Sequence, residues 1–450
     1  MRLHAAATLL ALSLSSATAW QCKHGKPQHP WSSVGLSSSA ETSSPPWTEN
    51  ASLKSSFLKT VGDREGFVPA RETVNLDLPP IERWVALGQK YSSQKDLIIQ
   101  YFEDLLPAPV VAIIAKVAAQ LIDYPGFGQY GDEMRGYAQG LGLDLGFVVA
   151  ANLVYELESI GVTCDNWNNT GPTGQCDGET PDYFDDEEQG VGWFESNHYK
   201  RNAKDVVQTG TCTSVVANNP KGGILHGRNL DWNLPEELRS LVLTVDFMKN
   251  NELLYTGTTV VSFVGLLNAM KPEAFTYSQN ARCQGGMLLF NLLEALRFGA
   301  DTPEQRARSV FESASTYEES VAGFSAGHLI TDAYFIVGGK EAGEGAVVSR
   351  ARNRAVDVWS IPVSTEPTDS MWYRLQTNYD HSDEPPAADD RETPGFANMD
   401  AVGKENLNED NLLKDVMTVW PTYNPHTDLT CIMAAHGSVY DCLVWKDEQQ

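Results

Sequence analysis

The second half of the chain, from residue 212 onward, has the pattern that most restricts the fold. Apolar runs of strand composition begin with 212–217 and 224–229, which are separated by the hairpin signal Asn-Pro-Lys-Gly-Gly. Helical segments are predicted at 286–298 and 303–313. The further predicted strands are 241–247, 253–264, 333–338, 345–350, 355–361 and 372–378. Strands, then helices, then strands predict an α+β fold in which helices cover layered sheets.

The first half of the chain is mostly helical by pattern, from residue 81 to residue 160. An alternating strand is predicted before it at 74–78, and it ends at two prolines. Apolar residues then recur at three- and four-residue steps, namely Leu106, Val110, Ile113, Val117 and Leu121. This stripe indicates a helix that faces the core, and a membrane-docking surface is the alternative. A further helix is predicted over 144–158.

The N-terminus carries the pattern of a secretory signal peptide. A basic residue precedes the apolar run 5–14, and Ala17-Thr18-Ala19 predicts cleavage before Trp20. We therefore expect a secreted or lysosomal protein, which agrees with glycosylation sequons at Asn50 and Asn168. The predicted regions are a signal peptide (1–19), a Ser-rich segment without stable fold (20–66), a helical region (67–160), an acidic insertion or linker (161–211) and the strand-rich region (212–450).

The charge balance excludes one broad class of partner. Lys plus Arg is 33 and Asp plus Glu is 59, so the formal net charge is −26. Because no basic stripe exists to neutralise phosphates, no nucleic-acid partner is expected. The acidic balance suits a protein that stays dispersed at acidic pH.

The seven cysteines leave at least one thiol unpaired in an oxidising compartment. Cys431 and Cys442 flank a predicted tight turn and are candidate partners. Cys164 and Cys176 bracket a short polar loop and are a second candidate pair. The cysteines and histidines do not have the spacing of a tetrahedral metal site, so neither a metal nor another cofactor is expected.

Cys212 stands at a position suited to a nucleophile, because it opens an apolar strand directly after a polar run. Residues further along the chain supply the other groups of an amide-cleaving site. They are the guanidinium groups of Arg228 and Arg391, the carboxylate of Asp231 and the amide of Asn378.

Several motifs, in this order along most of the chain, resemble those of the acid ceramidase and N-acylethanolamine-hydrolysing acid amidase family. These enzymes are N-terminal-nucleophile hydrolases of the choloylglycine hydrolase type. The matching motifs are Val74 to Pro80 with Arg83-Trp84, Asn152 to Leu157, Cys212 to Ala217, His226 to Asp231, Tyr334 to Gly339 and Thr377 to Asp380.

The resemblance implies a four-layer αββα sandwich with a mostly helical N-terminal subunit. It also implies self-cleavage at Thr211–Cys212, which would yield an α/β heterodimer from one precursor, with 212–450 as the catalytic β-subunit. The freed α-amine of Cys212 would then act as general base for its own thiol.

The resemblance assigns a role to each remaining site residue. Asp231 would hold the α-amine, Arg228 would pair with Asp231, and Asn378 would stabilise the oxyanion. Arg391 would be a second active-site arginine.

The implied substrate is a lipid amide, N-acylsphingosine first and N-acylethanolamine as the alternative. An anionic lipid surface or activator is the expected partner. An acyltransferase and a non-catalytic lipid-binding protein are the alternatives from other classes.

The chain departs from the family pattern at three places. Residues 161–208 intervene before the nucleophile, and Ala281 stands where the family has an acidic residue. Cys22 lacks its expected partner, for which Cys283 is a candidate substitute.

Overall fold

The computed structural model describes residues 60–61, 64–105, 108–123, 127–155, 211–232, 234–282, 299–362, 371–387 and 389–446. The predicted signal peptide, both sequons, the acidic insertion up to residue 210 and the predicted helix 286–298 lie outside these residues. So do the cysteines at positions 22, 164, 176 and 283.

The described residues form fifteen strands, numbered here in chain order. They are β1 (Thr60–Val61), β2 (Arg64–Phe67), β3 (Ala70–Asn75), β4 (Thr211–Asn218), β5 (Ile224–Asp231), β6 (Val242–Lys249), β7 (Glu252–Val260), β8 (Asn268–Lys271), β9 (Phe275–Ala281), β10 (Ala333–Gly339), β11 (Gly345–Arg350), β12 (Ala355–Ser360), β13 (Tyr373–Gln376), β14 (Thr427–Ala434) and β15 (Val439–Trp445).

The strands form two sheets. The first sheet has the order β1-β2-β15-β14-β5-β4-β13, and the second has the order β12-β11-β10-β9-β8-β7-β6-β3. Only the pair β3–β6 is parallel among the described strand pairs. Cys212 lies in β4, an interior strand of the first sheet.

Helices cover the outer faces of both sheets. They are α1 (Val85–Tyr91), α2 (Lys95–Leu105), α3 (Ala108–Leu121), α4 (Gly128–Leu141), α5 (Leu145–Ala151), α6 (Glu236–Arg239), α7 (Pro303–Ser313), α8 (Tyr317–Ser325), α9 (Glu392–Val402) and α10 (Glu409–Asn411). A π-helical turn, Leu412–Met417, follows α10, and 3-10 turns occupy Pro80–Glu82, Ser92–Gln94 and Lys404–Asn406.

The packing of apolar side chains confirms the predicted αββα layering. Phe311 of α7 and Phe324 of α8 lie against Tyr277 on the outer face of the second sheet. On the first sheet, Met399 of α9 and Val416 of the π-helical turn belong to one buried cluster with strand residues such as Val215. The inner faces of the two sheets therefore meet between two helical layers.

The N-terminal region contributes strands to both sheets. β2 pairs with β15 at the edge of the first sheet, and β3 pairs with β6 at the edge of the second. The boundary predicted at residue 66 falls inside β2, because Arg64 is buried and bonds carbonyl groups of the C-terminal region. Composition of the Ser-rich segment carries no sign of these distant contacts.

Several predicted elements shift when tertiary contacts are included. Within the helix predicted over 144–158, α5 ends at Ala151, a turn follows in which the side chain of Asn152 bonds Val148 O and Ser262 O, and residues 154–155 are helical again. Residues 156–158 lie outside the described residues. The strand predicted at 74–78 is β3, which ends at Asn75. The predicted partners Cys431 and Cys442 form a disulfide across β14 and β15.

Candidate active site around Cys212

Cys212 is a buried free cysteine on the inner face of the first sheet. It lies opposite Leu230 of β5, and paired residues of antiparallel strands project to the same face. Its cluster includes Val242 and Phe263 from the second sheet side. The thiol is therefore shielded from bulk water by apolar neighbours from both halves of the sandwich.

The backbone of Cys212 is held on both sides by predicted site residues. Its N–H donates to Asn378 Oδ1 at 2.8 Å, and its carbonyl accepts from Arg391 Nη1. Arg391 Nη2 also donates to Asn378 Oδ1 at 2.8 Å. Because a guanidinium only donates, the atom of Asn378 that faces Cys212 must be the amide oxygen. The amide nitrogen of Asn378 donates to Ala281 O at 2.8 Å.

Arg391 is compensated by two carboxylates. It forms a bidentate pair with Asp389 at 2.8 and 2.9 Å, and its Nη1 lies 3.8 Å from Asp231 Oδ2. Burial alone would lower the pKa of Arg391, but hydrogen bonding to Asp389 and the charges of Asp389 and Asp231 raise it. The guanidinium of Arg391 therefore stays cationic.

Asp231 ends β5 directly opposite Thr211. Its carboxylate accepts from Thr427 Oγ1 at 2.7 Å and from Asn424 Nδ2 at 3.0 Å. Burial raises the pKa of Asp231, and Arg391 together with these two donors opposes that rise. The carboxylate therefore lies beside the predicted self-cleavage bond.

Arg228 and Asp231 do not form a direct ion pair, although the charge of Arg228 helps to lower the pKa of Asp231. Residues three apart on a strand project to opposite faces, so Asp231 faces the helical layer and Arg228 faces the second sheet. Arg391 takes the place of the predicted ionic partner of Asp231.

Arg228 is instead a buried cation on the same face as Cys212. Its Nη1 donates to Asn280 Oδ1 at 3.0 Å, and its Nε has no hydrogen-bond partner. No carboxylate among the described residues lies within ion-pair distance of it. This guanidinium, with its Nε unpartnered, is therefore suited to receive negative charge that develops near the thiol.

Asn280 of β9 is a site residue that the sequence-based prediction missed. Its Oδ1 accepts from Arg228 and from Ser214 Oγ, and its Nδ2 donates to the carbonyls of Gln376 and Thr377. It thus links the two sheets directly before Asn378. The available signal was the two-residue spacing of Thr276, Ser278 and Asn280, with Phe275 and Tyr277 between the first of them, which places three polar side chains on one strand face.

An apolar cleft lies between helices α2 and α5 on one side and the ends of β5 and β7 on the other. The strand ends contribute Trp232, Leu234 and Phe263 to its lining. Trp232 and Phe263 also belong to the apolar cluster that contains Cys212. The lining residues carry little polar character, which suits a hydrocarbon chain.

Asp428 fixes one wall of this cleft. It accepts from the backbone N–H groups of Trp232 and Leu234 at 3.0 and 3.1 Å, and pairs with Arg239 at 2.9 Å. Burial raises the pKa of Asp428 to about 7, although Arg239 acts in the opposite direction. The loop after β5 is therefore held by a buried carboxyl and not by its own sequence.

A polar group borders the site beyond Asn378. Arg282 forms a bidentate pair with Asp380 at 2.9 and 2.7 Å, and Tyr334 also donates to Asp380. Hydrogen bonding and the charge of Arg282 overcome burial and lower the pKa of Asp380. The site therefore has an apolar side at the cleft and a polar side here.

Among the residues that the structure describes, no group of three His, Cys, Asp or Glu side chains is arranged to hold a metal ion. No helix there is long and apolar enough to cross a membrane.

Comparison with known proteins identifies the class to which this arrangement belongs. Residues 212–400 match the family described as linear amide C–N hydrolases, choloylglycine hydrolase family. Residues 68–127 match the beta subunit of N-acylethanolamine-hydrolyzing acid amidase. The N-acylethanolamine-hydrolyzing acid amidase of Oryctolagus cuniculus is 30% identical over 371 residues, which is 82% of this chain and 87% of that protein. The chain therefore belongs to the choloylglycine hydrolase family, which includes this acid amidase, and it is an amidohydrolase that acts on linear amides.

Within the family, the chain is similar to two named groups of enzymes. The N-acylethanolamine-hydrolyzing acid amidase of Mus musculus is 28% identical over 82% of this chain and 86% of its own length. The acid ceramidase of Mus musculus is 29% identical over 86% of this chain and 89% of its own length. A solved structure of the Caenorhabditis elegans ortholog of the acid amidase is 31% identical, with a TM-score of 0.45 over 50% of this chain and 93% of that one.

Proposed function

We propose that this protein hydrolyses a lipid amide through Cys212 after cleaving its own chain at Thr211–Cys212. The observation that carries the proposal is a buried free thiol that shares an apolar cluster with Trp232 and Phe263 of the cleft and projects from the same sheet face as the guanidinium of Arg228. The substrate proposed first is N-acylsphingosine, which would yield sphingosine and a fatty acid. N-acylethanolamine is the second candidate, favoured by the match of residues 68–127.

Self-cleavage would consume one water molecule. The Cys212 thiol attacks the carbonyl carbon of Thr211, the peptide nitrogen leaves as an amine, and water hydrolyses the resulting thioester. The nitrogen that now donates to Asn378 Oδ1 becomes the α-amine. An α-amine has a reference pKa of about 8, so it is a suitable base for a thiol.

The hydrolytic reaction then uses the same groups. The α-amine takes the thiol proton, and the thiolate attacks the amide carbonyl carbon, which forms a tetrahedral oxyanion. As the oxyanion collapses, the C–N bond breaks and the departing nitrogen takes the proton from the α-ammonium. Water, deprotonated by the same amine, hydrolyses the thioester and releases the fatty acid.

Two side chains are assigned to the negative charge in these steps. Arg228 faces the thiol side and has an Nε without a hydrogen-bond partner, so it stabilises the thiolate and the oxyanion. The amide of Asn378, whose nitrogen donates to Ala281 O and whose oxygen faces the Cys212 backbone, is assigned to the oxyanion. Asp231 and Arg391 hold the backbone of the nucleophile from the opposite face of the strand.

The two fragments of the cut chain would remain together as an α/β heterodimer. The N-terminal fragment keeps β2 in one sheet and β3 in the other, and separating it would expose unpaired strand edges in both. A lysosomal or secreted location, and action at an anionic lipid surface, are the accompanying proposals.

The proposal is tested by intact mass spectrometry of the purified protein after incubation at acidic pH. We expect two fragments, one beginning with Cys212, and hydrolysis of N-acylsphingosine and N-palmitoylethanolamine assayed in parallel. Cys212→Ala should stay uncut and inactive. A fully active enzyme that remains one chain, or an active Cys212→Ala variant, would refute the assigned nucleophile.

A further inference from the structure

Arg64 of β2 connects the N-terminal region to the C-terminal end of the chain. It is 2% exposed. Its Nε donates to Lys446 O at 2.8 Å, its Nη1 to Asn424 O at 3.1 Å and its Nη2 to Thr427 O at 2.7 Å. The guanidinium also lies over the ring of Tyr423, 5.3 Å from the ring centroid. Arg64 therefore fastens the turn 424–427 through the backbone.

The same turn holds Asp231 through its side chains. Asn424 Nδ2 and Thr427 Oγ1 donate to the two oxygens of the Asp231 carboxylate. The turn also closes on itself, because Thr427 N donates to Asn424 O and Asn424 N donates to Thr427 Oγ1, both at 3.0 Å. Arg64 thus bonds the carbonyls of the two residues whose side chains bond Asp231.

We propose that Arg64 is a positioning residue for the reaction, supplied by the N-terminal fragment to a site built on the C-terminal fragment. Through the turn, it sets the place of Asp231, which lies beside Arg391, and Arg391 holds Cys212 and Asn378. This inference rests on the proposed function. It adds that the N-terminal fragment is part of the working site after cleavage and does more than cover the sheets.

The chemistry of the guanidinium explains why another side chain does not serve. Its planar donors reach three carbonyls in different directions at once, whereas an ammonium is a compact charge on a flexible stem. A methionine of similar length leaves all three carbonyls without this donor. The turn then loses its attachment to β2 while its own closing bonds remain.

The test compares Arg64→Met and Arg64→Lys with the matched control Arg71→Met. Arg71 also joins the N-terminal region to the C-terminal region, by a bidentate pair with Asp246 at 2.8 and 2.7 Å. That pair lies between β3 and β6 in the other sheet. Each protein is matured, the two fragments are shown to co-elute, and kcat and KM are measured per assembled molecule across acidic to neutral pH.

The pH dependence of activity at acidic pH distinguishes a specific effect of Arg64 on Asp231 from a general loosening of the fold. The charged and titratable groups around Asp231 are Arg391, Arg228, Asp428 and His426. Donors from the turn lower the pKa of Asp231, so loosening the turn raises it. Activity that needs the ionised carboxylate is then lost at a higher pH than in the wild type.

We expect Arg64→Met to lower kcat about tenfold with KM within about twofold, since the two hydrogen bonds of Arg64 to the turn are lost and an effect on Asp231 of about the size of one net hydrogen bond gives this factor. In Arg64→Met, activity on the acid side of the pH profile is lost at a higher pH than in the wild type. Arg64→Lys should be intermediate in both kcat and this pH, and Arg71→Met should keep the wild-type values of both. If Arg64→Met does not mature, Arg64→Lys carries the test. A wild-type kcat and acid-side pH profile in the assembled Arg64 variants, or an equal loss of kcat in Arg71→Met, would overturn this inference and leave the proposed function in place. An inactive, uncut wild type would overturn the proposed function with it.

Discussion

Replacing Asn378 separates its two roles, because its oxygen and its nitrogen face different partners. The oxygen accepts from Cys212 N and Arg391, and the nitrogen donates to Ala281 O. Asn378→Ala removes all three bonds. Asn378→Asp keeps an oxygen toward Cys212 and Arg391, removes the amide donor and adds a carboxyl group that can carry negative charge.

The magnitudes follow from these contacts. A typical intramolecular hydrogen bond contributes about 1 kcal/mol net, so Asn378→Ala should lower the free energy of unfolding by about 3 kcal/mol. Asn378→Asp should cost less stability, because Arg391 remains paired. Losing one oxyanion donor typically lowers kcat by about 10²- to 10³-fold, and this loss should appear in both variants with little change in KM.

The assay measures kcat and KM per molecule that carries N-terminal Cys212, counted by mass spectrometry, together with urea unfolding of the same samples. The decisive comparison is the aspartate variant. Near wild-type kcat in Asn378→Asp would refute the oxyanion role and leave Asn378 as a residue that only holds the backbone of Cys212.

Three further predictions concern pH and the polar interior. Burial raises the pKa of Glu304 from 4.5 to about 7, so the wild type loses up to about 3 kcal/mol of stability as pH rises between those values. In urea unfolding, Glu304→Gln should exceed the wild type in stability above pH 7 and match it below 4.5; a constant difference would contradict this. His226 should be the neutral Nε2–H tautomer, because Ser214 donates to Asn280 and Ser278 must then donate to Ser214, which leaves Ser278 to accept from the imidazole. Thr276 Oγ1 then donates to Nδ1 at 2.9 Å in preference to Gly338 O at 3.2 Å. Long-range ¹H–¹⁵N spectra above pH 4 check this, since burial lowers the pKa of His226 to about 3, and an Nδ1–H signal would reverse the assignment. Hydrolysis should be fastest below neutral pH and stimulated by anionic lipid micelles, since the surface charge of −26 is partly titrated there; an alkaline optimum unaffected by micelles would reject the acidic working range.

Local patterns predicted a large part of the architecture. The helix 303–313 is found with the predicted bounds, because Thr302 caps it and Pro303 fits its first turn. The strand 345–350 is likewise found as predicted. The strands β8, β9, β14 and β15 were not predicted, and in β9 the reason is visible. Its inner face carries Thr276, Ser278 and Asn280, which are stable inside the sandwich only because polar groups of the facing sheet bond them.

Sequence alone predicted which chemical groups the proposed site contains, and tertiary structure decided which of them meet. Cys212, Asp231, Asn378 and Arg391 were predicted from their place in motifs that resemble the family, because these residue types alone are too common to mark a site. Their partners depend on strand register and on which face each side chain takes. Because of the strand register, Arg228 contacts Asn280 on the inner face, and Asp231 lies beside Arg391 on the opposite face.

The same physical reason applies to Arg64. Its partners are carbonyls 360 to 382 residues away, and a carbonyl is the same chemical group at every position of the chain. No local pattern distinguishes such an acceptor. Only the closing of the first sheet between β2 and β15 brings the two ends of the chain to one turn beside Asp231.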